Sequence, residues 1–245
     1  MFVHYTLLNM TNNYDKIFIK YKKTHAKPDK QYSMLPTILK LSSPLENKVV
    51  VDVGCGDGFF SSEFAKKAKI IYGLDNSKKQ ITEASKESPK NIKYSVSDML
   101  EFPYPKSDLV NIPFVIGYLK SNDLILKLLK RIHSSLNKDG KIVGIIDSPQ
   151  SIYHDNKKFG SIKKLESLTD GANLTIDLYD NKKIVTLNTF YYTPKTIRKL
   201  LSLAGFKKIT WHKPIVSKQG LDTFGKTFWQ EYLRNIDIKY FTSTK

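Results

Sequence analysis

The sequence predicts an α/β fold: a doubly wound, mainly parallel seven-stranded sheet preceded by an N-terminal helical lid. Three observations predict it. Strand-like apolar runs alternate with helical stretches from residue 49 to residue 146, the pattern of a parallel sheet with helices on both faces. A glycine-rich turn, Val49-Val-Val-Asp-Val-Gly-Cys-Gly-Asp-Gly-Phe-Phe60, joins the first strand to its helix. Two further strand-like segments, Lys183–Tyr192 and Phe206–His212, bring the strand count to seven.

Residues 12–48 read as a helical cap. Tyr14, Ile17, Phe18 and Tyr21 recur at helical spacing, and Pro28 breaks the pattern into two parts. Val49–Val53 is the first strand and Phe59–Ala68 its helix. Ile70–Leu74 is the second strand, ending at Asp75, and a helix over Ser77–Ser88 starts from Asn76 or Ser77 as cap. Asn91–Val96 is the third strand and Asp108–Ile112 the fourth. Leu124–Leu136 is a strongly periodic helix, and Lys141–Ile146 is the fifth strand beyond the Asp139-Gly140 turn. Thr193 and Pro194 form the cap and first turn of a helix that runs to Leu203 and ends at Ala204-Gly205. A single domain over 1–245 follows: a cap at 12–48, a cofactor-binding half at 49–147, a cover insertion at 148–180, and sheet completion at 181–245.

Composition bounds the function. The net charge is +17, yet only three of the 40 basic residues are arginine (Arg131, Arg198 and Arg234). Lysines spread over every segment describe solvated surface better than a nucleic-acid face, where arginine is favoured for bidentate phosphate contacts. The lone cysteine, Cys55, cannot form an intramolecular disulfide and suits a reducing, cytoplasmic setting. No apolar run approaches the roughly 20 residues of a membrane span, and the first ten residues lack the features of a signal peptide.

The glycine turn narrows the ligand. A dinucleotide fingerprint would place its third glycine at position 59, which is Phe59, whereas the glycine stands one residue earlier at Gly58. Asp52 and Asp57 beside a helix start disfavour a pyrophosphate and suit a cationic ligand. S-adenosylmethionine, with a sulfonium, an ammonium and no phosphate, fits these acids better than a nicotinamide dinucleotide. Asp75, at the carboxyl end of the second strand, is placed to bind a ribose hydroxyl pair. Asp98 follows the third strand, so three strand ends each carry an acid.

The stretches VVVDVGCGDGFF, YGLDNSKKQI, YSVSDML, SDLVNIPFVIGYL and SLNKDGKIV resemble the class I S-adenosylmethionine-dependent methyltransferases. The C-terminal run LSLAGFKKITWHKPIVSKQGLDTFGKTFWQEYL, with Tyr14 and Tyr21, is similar to the toxoflavin synthase-like small-molecule subgroup. The resemblance implies S-adenosylmethionine as cofactor and S-adenosylhomocysteine as product. It implies that the backbone of Gly54 and Gly56 lies against the methionine part, with Asp52 near its ammonium. Asp75 would hold the ribose, Asn76 and Gln80 would flank ribose and adenine, and Asp98 would meet the adenine amino group beside Met99. The Ile112-Pro-Phe114 loop would pass near the methyl group, and Tyr21 would close over the methionine end. Two departures stand out: Lys138-Asp-Gly-Lys141 replaces the usual Pro-Gly-Gly, and Pro113 interrupts the exit of the fourth strand.

On the acceptor side, Tyr153, His154, Phe159 and Tyr192 are the candidate substrate contacts. His154 is the first candidate base and His25, in the lid, the second. His212, at the end of a predicted strand, ranks behind them; His133 reads as structural, and His4 belongs to the terminus. No metal site is expected, because the histidines and the lone cysteine show no ligand spacing. The expected activity is methyl transfer to a small-molecule oxygen or nitrogen acceptor. A methyltransferase acting on RNA or protein, and a cofactor-binding protein without catalysis, are the alternatives.

Overall fold

The computed structural model describes residues 12–180 and 182–245. The expectations for His4 and for the first ten residues lie outside the described residues.

The cap begins with α1 (Tyr14–Lys22), where the Asn13 side chain accepts from the Lys16 amide at 3.1 Å. Pro28 breaks the run as expected, and the chain resumes in a π-helical turn, Lys30–Met34, that leads into α2 (Leu35–Ser42). The main sheet then builds from β1 (Val49–Val53), α3 (Phe59–Ala65), β2 (Ile70–Asp75), α4 (Lys78–Ala84), β3 (Ile92–Val96), β4 (Ser107–Pro113), α5 (Asn122–Ser135) and β5 (Leu136–Asp147). Their pairing is parallel throughout: β1 with β2 and β4, β2 with β3, and β4 with β5.

Strand alternation sorts the core into two layers. Val51, Val53, Val110, Ile112 and Ile142 pack on one face with Ile125, Leu128 and Leu129 of α5. Val50, Ile71, Leu109, Val143 and Ile145 pack on the other with Ile38 of α2 and Phe60 and Phe64 of α3. Both layers are dry, as the continuous apolar strands require of a sheet covered on both faces.

Beyond β5 the chain departs from the expectation. Four strands, β6 (Tyr153–Asn156), β7 (Ser161–Leu165), β8 (Asn173–Asp180) and β9 (Lys182–Phe190), form a separate antiparallel sheet in that order. The segment Lys183–Tyr192 therefore is not the sixth strand of the main sheet. β9 pairs antiparallel with β8, its neighbour in sequence, with Leu174 opposite Thr189 and Ile176 opposite Leu187. Alternation identifies a half-buried strand without naming the sheet it joins, and a near neighbour in sequence captures it first.

After α6 (Pro194–Leu203) come β10 (Lys207–His212), α7 (Lys218–Arg234) and β11 (Ile238–Thr244). β11 pairs antiparallel with β5, and β10 pairs with β11, giving the order β10-β11-β5-β4-β1-β2-β3. The seven-stranded count holds, with β11 in the place assigned to Lys183–Tyr192.

The second sheet is tied to the first by a buried ion triad. Lys163 of β7 donates to Asp147 Oδ1 at 2.7 Å, to Asp237 Oδ2 at 3.1 Å and to the Asp237 carbonyl at 3.0 Å. On the same face of this sheet, Tyr14, Ile17 and Tyr21 of α1 pack against Leu174, Ile176, Val185 and Leu187. Cap and second sheet therefore form one roof over the carboxyl ends of the main strands. Among the described residues no helix is long and apolar enough to cross a membrane.

Candidate active site

A cavity of about 450 Å³ lies beneath that roof, within the usual range for small-ligand sites. Its floor comes from the strand ends: Gly54–Asp57 after β1, Asp75 and Asn76 after β2, Ser97–Leu100 after β3, and Pro113–Val115 after β4. This is where an open α/β sheet collects ligands. Tyr14, Tyr21, His25, Lys30 and Met34 descend from the cap, and Tyr118 and Phe190 close the side.

The glycine turn needs its glycines for two different reasons. Gly54 has φ +66° and a Cβ there would stand 2.9 Å from the Val115 side chain. Gly56 has φ +57°, but a Cβ would find nothing nearer than 3.8 Å, so its bare backbone opens onto the cavity. A ligand can lie directly against that peptide.

Asp75 is held ready from below. Its Oδ2 accepts from the Gly56 amide at 3.0 Å and its Oδ1 from the Ser77 amide at 2.9 Å. Each oxygen keeps a further acceptor site for the cavity, the geometry a vicinal diol requires. Burial pushes this carboxyl up, while the two amides hold it down. Asp98 similarly accepts from the Leu100 amide at 2.6 Å, and Met99, Asn76 and the buried Gln80 line the same pocket. These groups, with the bare Gly56 backbone, fit a nucleoside that brings hydroxyl and amino donors.

Asp52 stands elsewhere. It is fully buried, accepts from Ser61 Oγ at 2.6 Å and from Asn111 Nδ2 at 2.8 Å, and does not line the cavity. It pins α3 and β4 together under the glycine turn, and burial pushes its carboxyl up to about 6. The acid that faces the cavity from this turn is Asp57, 3.5 Å from His25 Nδ1. Ile112 likewise points into the core, fully buried, while its neighbours Pro113 and Phe114 reach the pocket. Phe114 does so with φ +60°, a strained conformation for an aromatic residue.

The acceptor-side expectations divide. His154 sits on β6 with Nε2 2.9 Å from the Asn235 carbonyl, and Tyr153 is 54% exposed; neither lines the cavity. An antiparallel sheet shows alternate residues to opposite faces, and this pair falls at its outer edge strand. Tyr192 is buried, with its hydroxyl donating to the Leu119 carbonyl at 2.7 Å. Phe159 lines a smaller neighbouring chamber. His25 and Tyr21, by contrast, line the main cavity, together with Tyr14 and Tyr118, whose hydroxyls hydrogen-bond each other. Tyr118 belongs to an isolated 3-10 turn, Ile116–Tyr118, too short to show the periodicity that would have marked its facing.

The phenols and the imidazole of the roof are neutral, and Lys30 is its cation. Burial raises the phenols of Tyr14, Tyr21 and Tyr118, so they stay protonated. Burial, and then the ammonium groups of Lys30 and Lys22, push the His25 imidazole down to about 3. From about pH 6.5 down to about pH 3 the unfolded chain takes up a proton that folded His25 refuses, so His25 makes stability fall as pH falls. Asp52, raised to about 6, acts oppositely between about pH 4 and 6, losing stability as pH rises. His25→Gln isolates the first effect. Wild type is expected to lose up to about 2 kcal/mol more than the variant on going from about pH 7 to about pH 5 in urea unfolding. Parallel losses would mean that His25 protonates freely in the folded chain.

No group of three or more histidine, cysteine or acidic side chains among the described residues could hold a metal ion. Comparison with known proteins adds a family. Residues 50–140 match the family described as "Methyltransferase domain". The chain is 26% identical over 190 residues to the ubiquinone biosynthesis O-methyltransferase of Pelagibacter ubique, covering 69% of this chain and 76% of that one. It is 30% identical over 124 residues to the tRNA U34 carboxymethyltransferase of Helicobacter pylori strain J99, covering 47% and 48%. The chain spans less than two thirds of the length of several of the curated relatives it matches. In fold it is similar to an S-adenosylmethionine-dependent methyltransferase from Mesorhizobium loti, with TM-score 0.64, 17% identity, and coverage of 91% of this chain and all of that one.

Proposed function

We propose that this chain is a class I S-adenosylmethionine-dependent methyltransferase, a reading supported by the family match over residues 50–140 and by the fold, and that it methylates an oxygen or nitrogen of a small molecule enclosed beneath the cap and second sheet. One observation carries the reading: Asp75, the bare Gly56 backbone and an aromatic roof meet in a single cavity at the strand ends.

When bound, S-adenosylmethionine supplies a methyl group on a positively charged sulfur with a neutral leaving group. Asp75 would hold the ribose hydroxyls, with Asn76 and Gln80 beside them, and Asp98 and Met99 would take the adenine. Asp57 and Lys30 offer opposite charges to the amino-acid end. Tyr14, Tyr21, Phe114 and Tyr118 exclude water and orient the acceptor, and alignment of this kind supplies much of the acceleration in a displacement reaction. His25 is held neutral but is a weak base, and the three phenols stay protonated. The roof therefore suits an acceptor that needs little help with deprotonation, such as a neutral amine or an acidic hydroxyl. The buried single cysteine, Cys55, agrees with work in a reducing compartment.

Calorimetry is expected to show S-adenosylhomocysteine binding in the micromolar range, and its absence would overturn the assignment. An RNA acceptor is the second reading, favoured by the net charge of +17 and the likeness to a tRNA-modifying enzyme. With methyl-labelled cofactor, label is expected in small molecules of a cell extract; label in the RNA fraction would move the acceptor to this second reading.

A further inference from the structure

A chamber of about 90 Å³ adjoins the main cavity, and Tyr21, Lys30, Met34, Phe114 and Tyr118 line both. The chamber is assembled from distant parts of the chain, among them the π-helical turn, the end of β5, β7, β8, β9 and the residues leading into β11.

Several of its polar groups are paired. Lys163 has three acceptors in Asp147 and Asp237. Lys27 donates to the Gly160 carbonyl at 2.5 Å, and Lys30 to Thr24 Oγ1 at 2.7 Å. Asp29, at the start of the π-helical turn, keeps Oδ1 buried with no hydrogen-bond partner. A buried acceptor left in that state is unfavourable, and more so when charged. Its carboxyl is pushed up to about 6 by burial, against the pull of Lys30 and Lys27.

Among the residues that line the chamber, Asp29 is the one with a fully buried side-chain oxygen that lacks a partner. Its volume exceeds the roughly 30 Å³ of a single water. Tyr21, Phe114, Tyr118, Phe159 and Tyr232 supply apolar walls for the body of a ligand. Strained Phe114 and the π-helical turn stand at its mouth, two backbone features that concentrate at functional sites.

We infer that the methyl acceptor carries a second polar head group, an amine or a hydroxyl, and that Asp29 receives its hydrogen bond in this chamber. The inference rests on the methyl-transfer reading above. Asp29 is then a specificity-determining residue that fixes which end of the acceptor faces the methyl group.

The test uses the full chain saturated with S-adenosylhomocysteine, and benzylamine, benzyl alcohol and toluene as probes of one shape. Ligand-observed NMR affinities and soaked crystals are the readouts. Benzylamine or benzyl alcohol is expected to exceed toluene by about tenfold or more, with its nitrogen or oxygen on Asp29. A lead for the amine identifies an ammonium head group, and a lead for the alcohol a neutral one. Asp29→Ala and Asp29→Asn are expected to bind S-adenosylhomocysteine as wild type does while losing that preference. Equal binding of the three probes, a preference that survives both substitutions, or a chamber that holds only water would overturn the inference and leave the methyltransferase reading standing. A wild-type chain that does not bind S-adenosylhomocysteine would overturn that reading instead.

Discussion

Asp75→Ala is expected to weaken S-adenosylhomocysteine binding by roughly a hundredfold, about 2.7 kcal/mol, with the fold intact. The carboxylate is gripped by the Gly56 and Ser77 amides, so its cavity-facing lone pairs are set before any ligand arrives. Truncation removes the ribose acceptors and also frees the two amides, which loosens the glycine turn against the end of β2. Asp75→Asn is expected to lie between the two, since an amide oxygen replaces only one of the acceptors. Calorimetric titration of the three proteins, with thermal melts as the folding control, checks the order. Affinity unchanged in Asp75→Ala would remove this residue from the cofactor site.

The second large effect falls on stability. Asp52→Ala is expected to cost about 3 kcal/mol, because Ser61 and Asn111 would be left as buried donors around a new void. Direct contact with the cofactor would give a different signature: lost affinity at unchanged stability, with Asp52→Asn nearly as damaging as Asp52→Ala. Urea unfolding of both variants, paired with cofactor titration, separates the cases. A loss under 1 kcal/mol would contradict the pinning role assigned here.

The contrast between these two aspartates shows how far sequence can reach. Asp52 and Asp75 both belong to an acid-rich nucleotide-site pattern, and the strand-end position of Asp75 is enough to aim it at a ligand. Asp52 lies one residue before a strand end, and only the period-2 alternation of a two-faced sheet decides that it turns inward beneath α3. The parallel half of the fold was legible because its strands and helices alternate locally. The second sheet was not, since β8 and β9 spell strands without spelling their partners, and Lys163 met Asp147 and Asp237 only through long-range folding. The same holds for the acceptor side. Tyr118, Lys30 and Asp29 sit in a 3-10 turn and at the start of a π-helical turn, where no periodic signal exists to show their facing. His154 and Tyr153 looked well placed by segment, yet their edge strand leaves Tyr153 exposed and His154 against the Asn235 carbonyl, both away from the main cavity.

The ion triad around Lys163 has a consequence for how this architecture could diversify. The chain leaves the main sheet at Asp147 and rejoins its helical layer at Pro194, so the second sheet is one contiguous insertion in the order of elements. Asp147 belongs to the host frame, and Asp237 lies just before β11 of that frame. A transplanted module would therefore need to bring its own cation to that spot, or the two carboxylates would face each other undischarged. The triad is a compatibility lock: it limits which modules this frame can accept, whatever chemistry those modules recognise.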